Sequence, residues 1–462
     1  MEDMKLMNKK FYFIKSEDKD EYNILFHEPT SSFAKIHYQD PGMYSDIELR
    51  ERFETLDSEE QQDEQLFTGK GRIGLTFMSA RTCNLSCKYC FAGEGEYGCI
   101  DSKPKVYNYE SYMKAMKTAI KMYPEGIKSI SFFGGEPLIG FDEIKKFVPD
   151  CVKYFSEQDM QIPEFAISTN MVAMTRETAQ FMKDFGIKAV ISLDGPKYLN
   201  DYARVSADPS FSVYDNVVKN CRILDEYGVK YAVQATVNQQ LLKNYKLGDG
   251  AKWLHEIDKI NWENLAIVPV ETDVPDLKIE DEHLQSLDSF TREITNYYID
   301  ELLKEKPGKI ASGIIAPVLQ IAKNKHVRTC SSGHSVFFDT DGSIYPCQMF
   351  CNMDDYKLGD IDNGWSAEKA DAISNISRIE SQECKNCIAR NVCFMWCKGI
   401  QLLSNNDMRK ICKPRCVFQV ANTEECIKAL VRIKNNKEKA KLFWGNYKKV
   451  GERLIEDGFI NK

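Results

Sequence analysis

The sequence has no run of eighteen apolar residues, and its opening stretch, Met1 to Lys15, is charged and aromatic without the apolar core of a signal peptide. Membrane spanning and secretion are excluded on this reading, and a cytoplasmic location is expected. Basic charge is in short supply too: 61 Lys and Arg stand against 69 Asp and Glu, a net charge of −8, which disfavours a nucleic-acid partner. Histidine is scarce, with six in 462 residues and no ligand spacing among them, so a general Cys/His zinc architecture is not the natural account. Internal repeats and low-complexity tracts are absent. With 43% hydrophobic and 28% charged residues the chain reads as globular, and its length fits two or three domains.

Cysteine is the excess. Sixteen cysteines are too many for core filling and, in a reducing compartment, unsuited to disulfides. Thiolates without imidazoles fit iron–sulfur clusters or all-cysteine zinc sites.

The first seventy residues read as a separate unit, with short strands at Phe11–Ile14 and Tyr22–Phe26 and a helical pattern at Ser45–Leu56. The acidic run Asp57–Gln65 is a linker or a solvated helix end. From Ile73, strands expected at Gly74–Met78, Ser129–Phe133, Phe165–Thr169, Ala189–Leu193, Ala232–Val237 and Leu265–Val270 alternate with helices near Tyr109–Met122, Phe141–Phe155, Arg176–Phe185, Tyr214–Tyr227 and Gly250–Asp258. Six such units predict an α/β fold with a parallel sheet, open or curled toward a barrel. Helix-forming sequence follows at Asp281–Lys304. Beyond Ala311 the alternation fades, and ten of the sixteen cysteines lie between Cys330 and Cys426 in loop-rich sequence whose own apolar core looks small.

The motif with the most chemistry is Cys83-Asn-Leu-Ser-Cys87-Lys-Tyr-Cys90, just after the first strand of the alternating region. Three thiolates there can hold three irons of a cubane and leave the fourth open to bind and activate a small molecule. A zinc site would need a fourth ligand, which Cys99 could supply. Gly134-Gly135-Glu136-Pro137, Ser168-Thr169-Asn170 and Ser192-Leu193-Asp194-Gly195-Pro196 follow the next three strands, at the sheet edge where α/β folds build sites.

The run CNLSCKYCFAGEG, with those strand-end motifs in register, resembles the signature of the radical S-adenosylmethionine (SAM) superfamily. The resemblance implies a partial (β/α)6 barrel whose [4Fe–4S] cluster, on catalytic Cys83, Cys87 and Cys90, binds SAM at its open iron and yields a 5′-deoxyadenosyl radical. It further implies that Glu136 receives the SAM ammonium, with Gly134 and Gly135 allowing close backbone approach. Ser168, Asn170, Ser192 and Asp194 would reach ribose and carboxylate, Arg204 would pair with the carboxylate, and Tyr89 and Phe91 would flank the adenine. One position departs from the pattern: Met171 stands where relatives often carry glycine.

The C-terminal cysteines resemble the SPASM extension, whose members hold two auxiliary [4Fe–4S] clusters. Its elements are Cys330 with Gly342 and Cys347, then Cys384-x2-Cys387-x5-Cys393-x3-Cys397, then Cys412 and Cys416. By the family's crossover, Cys384, Cys387 and Cys393 join Cys416, preferred to Cys412, in the distal cluster. Cys397 joins Cys330 and Cys347 in the nearer one, with Cys351 as its fourth ligand or an open iron in its place. Cys99, Cys151, Cys221 and Cys426 are expected to be buried thiols.

The runs Phe132-Phe133-Gly-Gly-Glu-Pro and Cys90-Phe-Ala-Gly-Glu-Gly-Glu-Tyr-Gly resemble peptide maturases that make thioether cross-links in cysteine-rich precursors, the ranthipeptide or SCIFF group of RiPP maturation. The resemblance implies three domains: residues 1–68 as a leader-peptide recognition module or an inert structural cap, 69–311 as the radical SAM partial barrel, and 312–462 as the SPASM domain with a C-terminal helix. Expected partners are a leader-bearing precursor peptide and a low-potential electron donor such as flavodoxin or ferredoxin. Formylglycine formation, as in anaerobic sulfatase maturases, is the alternative within the same machinery. A noncatalytic iron–sulfur or zinc scaffold that binds peptides is the alternative outside it.

Overall fold

The computed structural model describes residues 6–7, 11–15, 22–36, 71–93, 95–98, 103–325, 330, 335–434 and 436–459. The helical pattern at Ser45–Leu56, the acidic run Asp57–Gln65 and Cys99 lie outside them.

Six parallel strands lie side by side in sequence order: β5 (Ile73–Ala80), β6 (Ile127–Gly134), β7 (Glu164–Thr169), β8 (Lys188–Ser192), β9 (Tyr231–Val237) and β10 (Asn264–Pro269). Each step returns through a helix, as parallel pairing demands. The helix Tyr109–Met122 shows how sequence sets these crossovers. Asn108 caps it by accepting from the Ser111 N–H, and Tyr112, Ala115, Met116 and Ala119 form the buried stripe that faces the sheet. Seven of the eight residues of β5 are buried, as expected of a central parallel strand.

The sheet does not stop at six strands. β11 (Ser335–Phe338) runs parallel to the outer side of β5, followed by antiparallel β12 (Ser343–Tyr345), β13 (Gly359–Asp360) and β14 (Gly364–Trp365). Phe338 of β11 stacks on Phe77 of β5 at 5.0 Å, so the cysteine-rich segment covers what would be an open edge. At the other edge β10 is covered by the helices Ser312–Ala322 and Lys413–Lys434. The expectation of a loop-rich C-terminal segment with a small core holds for 339–397 only. The long helix Lys413–Lys434 takes its core from the helix Leu284–Leu302, against which it packs.

The N-terminal residues form a separate antiparallel sheet, β1 (Leu6–Met7), β2 (Phe11–Ile14), β3 (Asn23–His27) and β4 (Ser32–Ile36), with β4 at one edge. It is tied to the cysteine-rich segment: Glu28 and Arg390 form a buried ion pair at 3.1 Å, and the Asn391 amide donates to the Glu28 carbonyl at 3.3 Å. No helix among the described residues is long and apolar enough to cross a membrane.

Candidate functional site

The loop after β5 carries Cys83, Cys87 and Cys90 at the C-terminal edge of the sheet. Its shape is fixed by backbone contacts. The Cys90 N–H donates to the Cys87 carbonyl at 3.0 Å, Ser86 N–H to the Val205 carbonyl at 2.7 Å, and Lys88 N–H to the Ala203 carbonyl at 2.9 Å. Gly134 and Gly135 pack against this loop. A Cβ on Gly134 would stand 2.4 Å from the Ala80 carbonyl oxygen, and one on Gly135 would stand 2.3 Å from that of Thr82, so neither position admits a side chain.

Burial pushes the Cys83 thiol up to about 12, and the neighbouring Cys87 and Cys90 add to that. Burial, opposed by Arg204, takes Cys87 to about 11, with Cys90 again raising it. Cys83 and Cys87 are thus held back from ionising by burial and by the neighbouring sulfurs, a strain that a polycationic iron cluster would relieve, so the residues fit the group. Among the described residues, no three His, Cys, Asp or Glu side chains close on a single metal ion.

The strand-end residues interlock behind this loop. Asp194, fully buried, accepts from the Tyr89 hydroxyl at 2.5 Å, from Arg204 Nε and Nη2 at 3.1 Å each, and from the Thr236 N–H at 3.0 Å. The Arg204 guanidinium also lies 5.5 Å from the centre of the Tyr89 ring. Asn170 donates through Nδ2 to Asn84 Oδ1 at 2.7 Å and to Cys83 Sγ at 3.6 Å, which places it beside the first cysteine. Ser168 and Ser192 stand half-buried near the ends of β7 and β8.

Glu136 has partners within the fold as well. Its carboxylate is wholly buried and accepts from the Leu138 N–H at 3.0 Å, the Thr169 hydroxyl at 2.7 Å and the Asn170 N–H at 2.8 Å. It thus fastens the end of β6 to the end of β7, and burial raises it to about 7 against those three donors. Met171 explains the family's glycine: its φ is 67°, a conformation that glycine adopts freely. Three residues absent from the sequence reading support these turns. Asn220 donates to the Met171 carbonyl at 2.8 Å, the Asn200 side chain accepts from the Asp194 N–H at 3.1 Å, and Trp253 Nε1 donates to the Asp194 carbonyl at 2.9 Å.

Cys384, Cys387, Cys393, Cys412 and Cys416 line one small cavity together with Arg378, Arg390 and Arg415. Cys416 lies close enough to Cys393, Cys387 and Cys384 for each to oppose its ionisation. For Cys412 the largest charged influence is instead Glu271. Cys397 and Cys330 interact with each other. The Cys351 thiol meets Arg81 Nη2 at 3.2 Å. Cys151, Cys221 and Cys426 are fully buried.

Arg81 belongs to a buried polar knot that the sequence does not advertise. Its Nε and Nη2 donate to Asp339 at 2.7 and 2.6 Å, and its Nη1 donates to the Glu96 carbonyl at 2.7 Å. Lys103 reaches Asp339 at 2.6 Å and Asn352 at 2.9 Å. The loop that follows the first cysteines is thereby held to the C-terminal segment.

Between these regions opens a cavity of about 480 Å³. Tyr89, Cys90 and Phe91 form one wall, Cys412 and Lys413 another, and Glu271 beyond β10 stands between them.

A strand-ordered α/β sheet with three cysteines on the loop after its first parallel strand defines a class, and residues 78–238 match the family model of the Radical SAM superfamily. The chain carries a radical SAM domain, and with it the requirement for SAM and a [4Fe–4S] cluster. It is 24% identical over 340 residues to the cysteine-type anaerobic sulfatase-maturating enzyme of Clostridium novyi, covering 69% of this chain and 86% of that protein. It is 23% identical over 361 residues to the radical SAM cyclopropyl synthase TigE of Paramaledivibacter caminithermalis, covering 74% and 71%. The solved structure of native anSMEcpe with bound AdoMet and Kp18Cys peptide superposes with a TM-score of 0.63 at 17% identity, covering 79% of this chain and all of that one. This is a radical SAM enzyme related to sulfatase maturases and peptide modifiers.

Proposed function

We propose that the enzyme installs thioether bridges between cysteine thiols and carbon atoms of acceptor residues in a ribosomally made, cysteine-rich precursor peptide. The observation that carries this reading is the cavity bounded by the Cys90 wall and the C-terminal cysteine region. It has room for a peptide side chain between the first cysteine loop and the wall that carries Cys412 and Lys413. The named relatives, a sulfatase maturase and a cyclopropyl synthase, and a related fold solved with a peptide, support a peptide substrate.

In this reading Cys83, Cys87 and Cys90 hold the first cluster. SAM bound there supplies a radical able to take a hydrogen atom from carbon. Tyr89 and Phe91 line the adenine side. Gly134 and Gly135 let backbone approach, Ser168, Asn170 and Ser192 present polar groups at the strand ends, and the Asp194–Arg204 pair fixes the wall behind Tyr89. Two auxiliary [4Fe–4S] clusters complete the set. The distal one is held by Cys384, Cys387, Cys393 and Cys416, whose shared cavity supports the grouping. The nearer one is held by Cys330, Cys347 and Cys397, with Cys351 or an open iron as the fourth position. Residues 1–68 act as the leader module, in which the β4 edge of the small sheet takes an extended leader by strand addition. Residues 69–311 and 312–462 are the barrel and SPASM domains. A flavodoxin or ferredoxin supplies electrons, and a reducing cytoplasm suits the free thiols.

Conversion of a cysteine or serine to formylglycine is the second reading, favoured by the sulfatase-maturase relatives. Mass spectrometry of the modified peptide separates the two. A thioether product weighs two hydrogens less per event, loses one alkylatable thiol and resists fragmentation between donor and acceptor. An aldehyde that reacts with hydrazines, without a bridge, overturns the thioether reading in favour of the second.

A further inference from the structure

The wall of the distal cysteine cavity carries three guanidiniums and no carboxylate. Two of the three are committed elsewhere. Arg390 is paired with Glu28 at 3.1 Å, and Arg378 donates to the Cys393 carbonyl at 3.1 Å. Arg415 is the exception. It has no ion pair among the described residues, and the hydrogen bond it makes runs from Nη1 to the Met395 carbonyl at 3.5 Å. Its Nε is closed to solvent and has no acceptor. A guanidinium is not deprotonated in proteins, so a positive donor stands half-buried and unanswered, which calls for an explanation. Its place in the fold sharpens the anomaly. Arg415 lies in the first turn of the helix Lys413–Lys434, a turn without an acidic residue, so the positive end of the helix is reinforced where a carboxylate would neutralise it. Cys416 is the next residue. Burial pushes the Cys393, Cys397 and Cys412 thiols up, and the Arg415 charge opposes that at each of them. Its charge therefore reaches the distal group through Cys393 and the nearer group through Cys397.

We propose that Arg415 is the counter-charge of the distal cluster and sets its affinity for an electron. The inference rests on the reading above, in which Cys384, Cys387, Cys393 and Cys416 hold that cluster. A cubane on four thiolates is an anion, and each electron it takes up adds one negative unit. A fixed cation beside it favours the reduced form over the oxidised one, and a partly buried site limits the screening of that preference by water. Closing a carbon–sulfur bond between a carbon radical and a thiolate leaves one electron over, and the oxidised distal cluster is the oxidant that takes it. Arg415 strengthens that oxidant. The pull is greater at the distal group, whose cavity Arg415 lines beside Cys416, than at the nearer one.

The test compares wild type, Arg415→Gln and Arg415→Lys as full-length enzyme reconstituted anaerobically with iron and sulfide. The readout is the reduction potential of the distal cluster, followed by electron paramagnetic resonance during titration with dithionite. Its signal is the one that disappears when Cys384, Cys387 and Cys393 are changed to alanine. Arg415→Gln is expected to lower the ratio of reduced to oxidised distal cluster at a fixed potential by about tenfold, or about 59 mV for a one-electron couple. Arg415→Lys keeps the charge and should stay within about threefold of wild type. A merely structural role would move both variants alike. Loss of about four irons from Arg415→Gln but not from Arg415→Lys would also support the assignment, because the charge is then needed to hold the anion at all. A shift of less than about threefold in Arg415→Gln, equal shifts in the two variants, or loss of the distal iron from both overturns the assignment and leaves the cluster reading standing. Wild-type enzyme without a distal signal overturns both.

Discussion

The two cysteine regions are positioned by different means. The first, Cys83 to Cys90, follows one strand and is shaped by neighbours from successive strand ends, with Ala203 and Val205 bonding the loop and Gly135 lying under it. The second, Cys384 to Cys416, runs from short helical turns into the first turn of the long helix Lys413–Lys434, and it is tied by Arg390 to Glu28, 362 positions earlier. A site built at a sheet edge takes its precision from the sheet. A site in irregular chain needs long-range polar fastenings, and it gains most from whatever its cysteines bind.

The sharpest way to break this comparison is to empty each region in turn. Changing Cys83, Cys87 and Cys90 to alanine should abolish 5′-deoxyadenosine formation, measured chromatographically, and leave about eight of about twelve irons in place if three cubanes are present. Loss of all the iron would mean that the regions do not assemble independently. Changing Cys384, Cys387 and Cys393 to alanine should do the reverse: SAM is still cleaved while modified peptide disappears. Full product yield from that variant would remove the distal group from the reaction.

The same contrast explains what could be read in the sequence. The six strands and their helices were legible because hydrophobic periodicity is local, and the helix Tyr109–Met122 falls where its pattern placed it. The cysteine motifs were legible because ligand spacing is local too. The Arg81–Asp339 knot was not, since its partners lie 258 positions apart and nothing in either neighbourhood marks them. Nor was the setting of Glu136: the motif names the residue, but the direction of its side chain depends on Thr169 and the turn at Asn170. The strands β11 to β14 were missed because they are two to four residues long and take their stability from pairing, β11 onto β5 and the others each onto the strand before.

A smaller effect separates the two kinds of fastening. Asp194→Asn leaves the buried Arg204 without its counter-charge, and Asp339→Asn removes the buried carboxylate that Arg81 and Lys103 share. Each should lower stability by about 3–5 kcal/mol, the range for breaking a buried pair, and calorimetry or thermal melting would measure it. The consequences should differ beyond stability. The Asp194 variant should lose SAM affinity, because Tyr89 loses its hydroxyl partner at 2.5 Å. The Asp339 variant retains that wall but frees the C-terminal segment from the loop, so limited proteolysis should cut between the two at a lower protease concentration. Equal proteolysis of the two variants would erase the distinction between local and long-range fastening.

The smallest expected effect falls on Met171, where two terms oppose each other. Its φ of 67° costs a residue with a side chain about 1–2 kcal/mol, which glycine would recover. The same side chain is fully buried, at 0% exposure, and deleting a buried methionine side chain costs about 2–5 kcal/mol through lost burial and the cavity left behind. Glycine also gives the unfolded chain more freedom, a further cost of about 0.5–1 kcal/mol. The sum favours methionine, so Met171→Gly should lower stability by about 0.5–5 kcal/mol, centred near about 3 kcal/mol, even though it supplies the residue that the turn prefers. Because Asn220 still donates to the carbonyl of residue 171, the turn itself should persist, and with it the placement of Asn170 beside Cys83. A rise in melting temperature on Met171→Gly would mean that backbone strain outweighs packing here, and that the sheet-edge site carries more stored strain than its neighbours reveal.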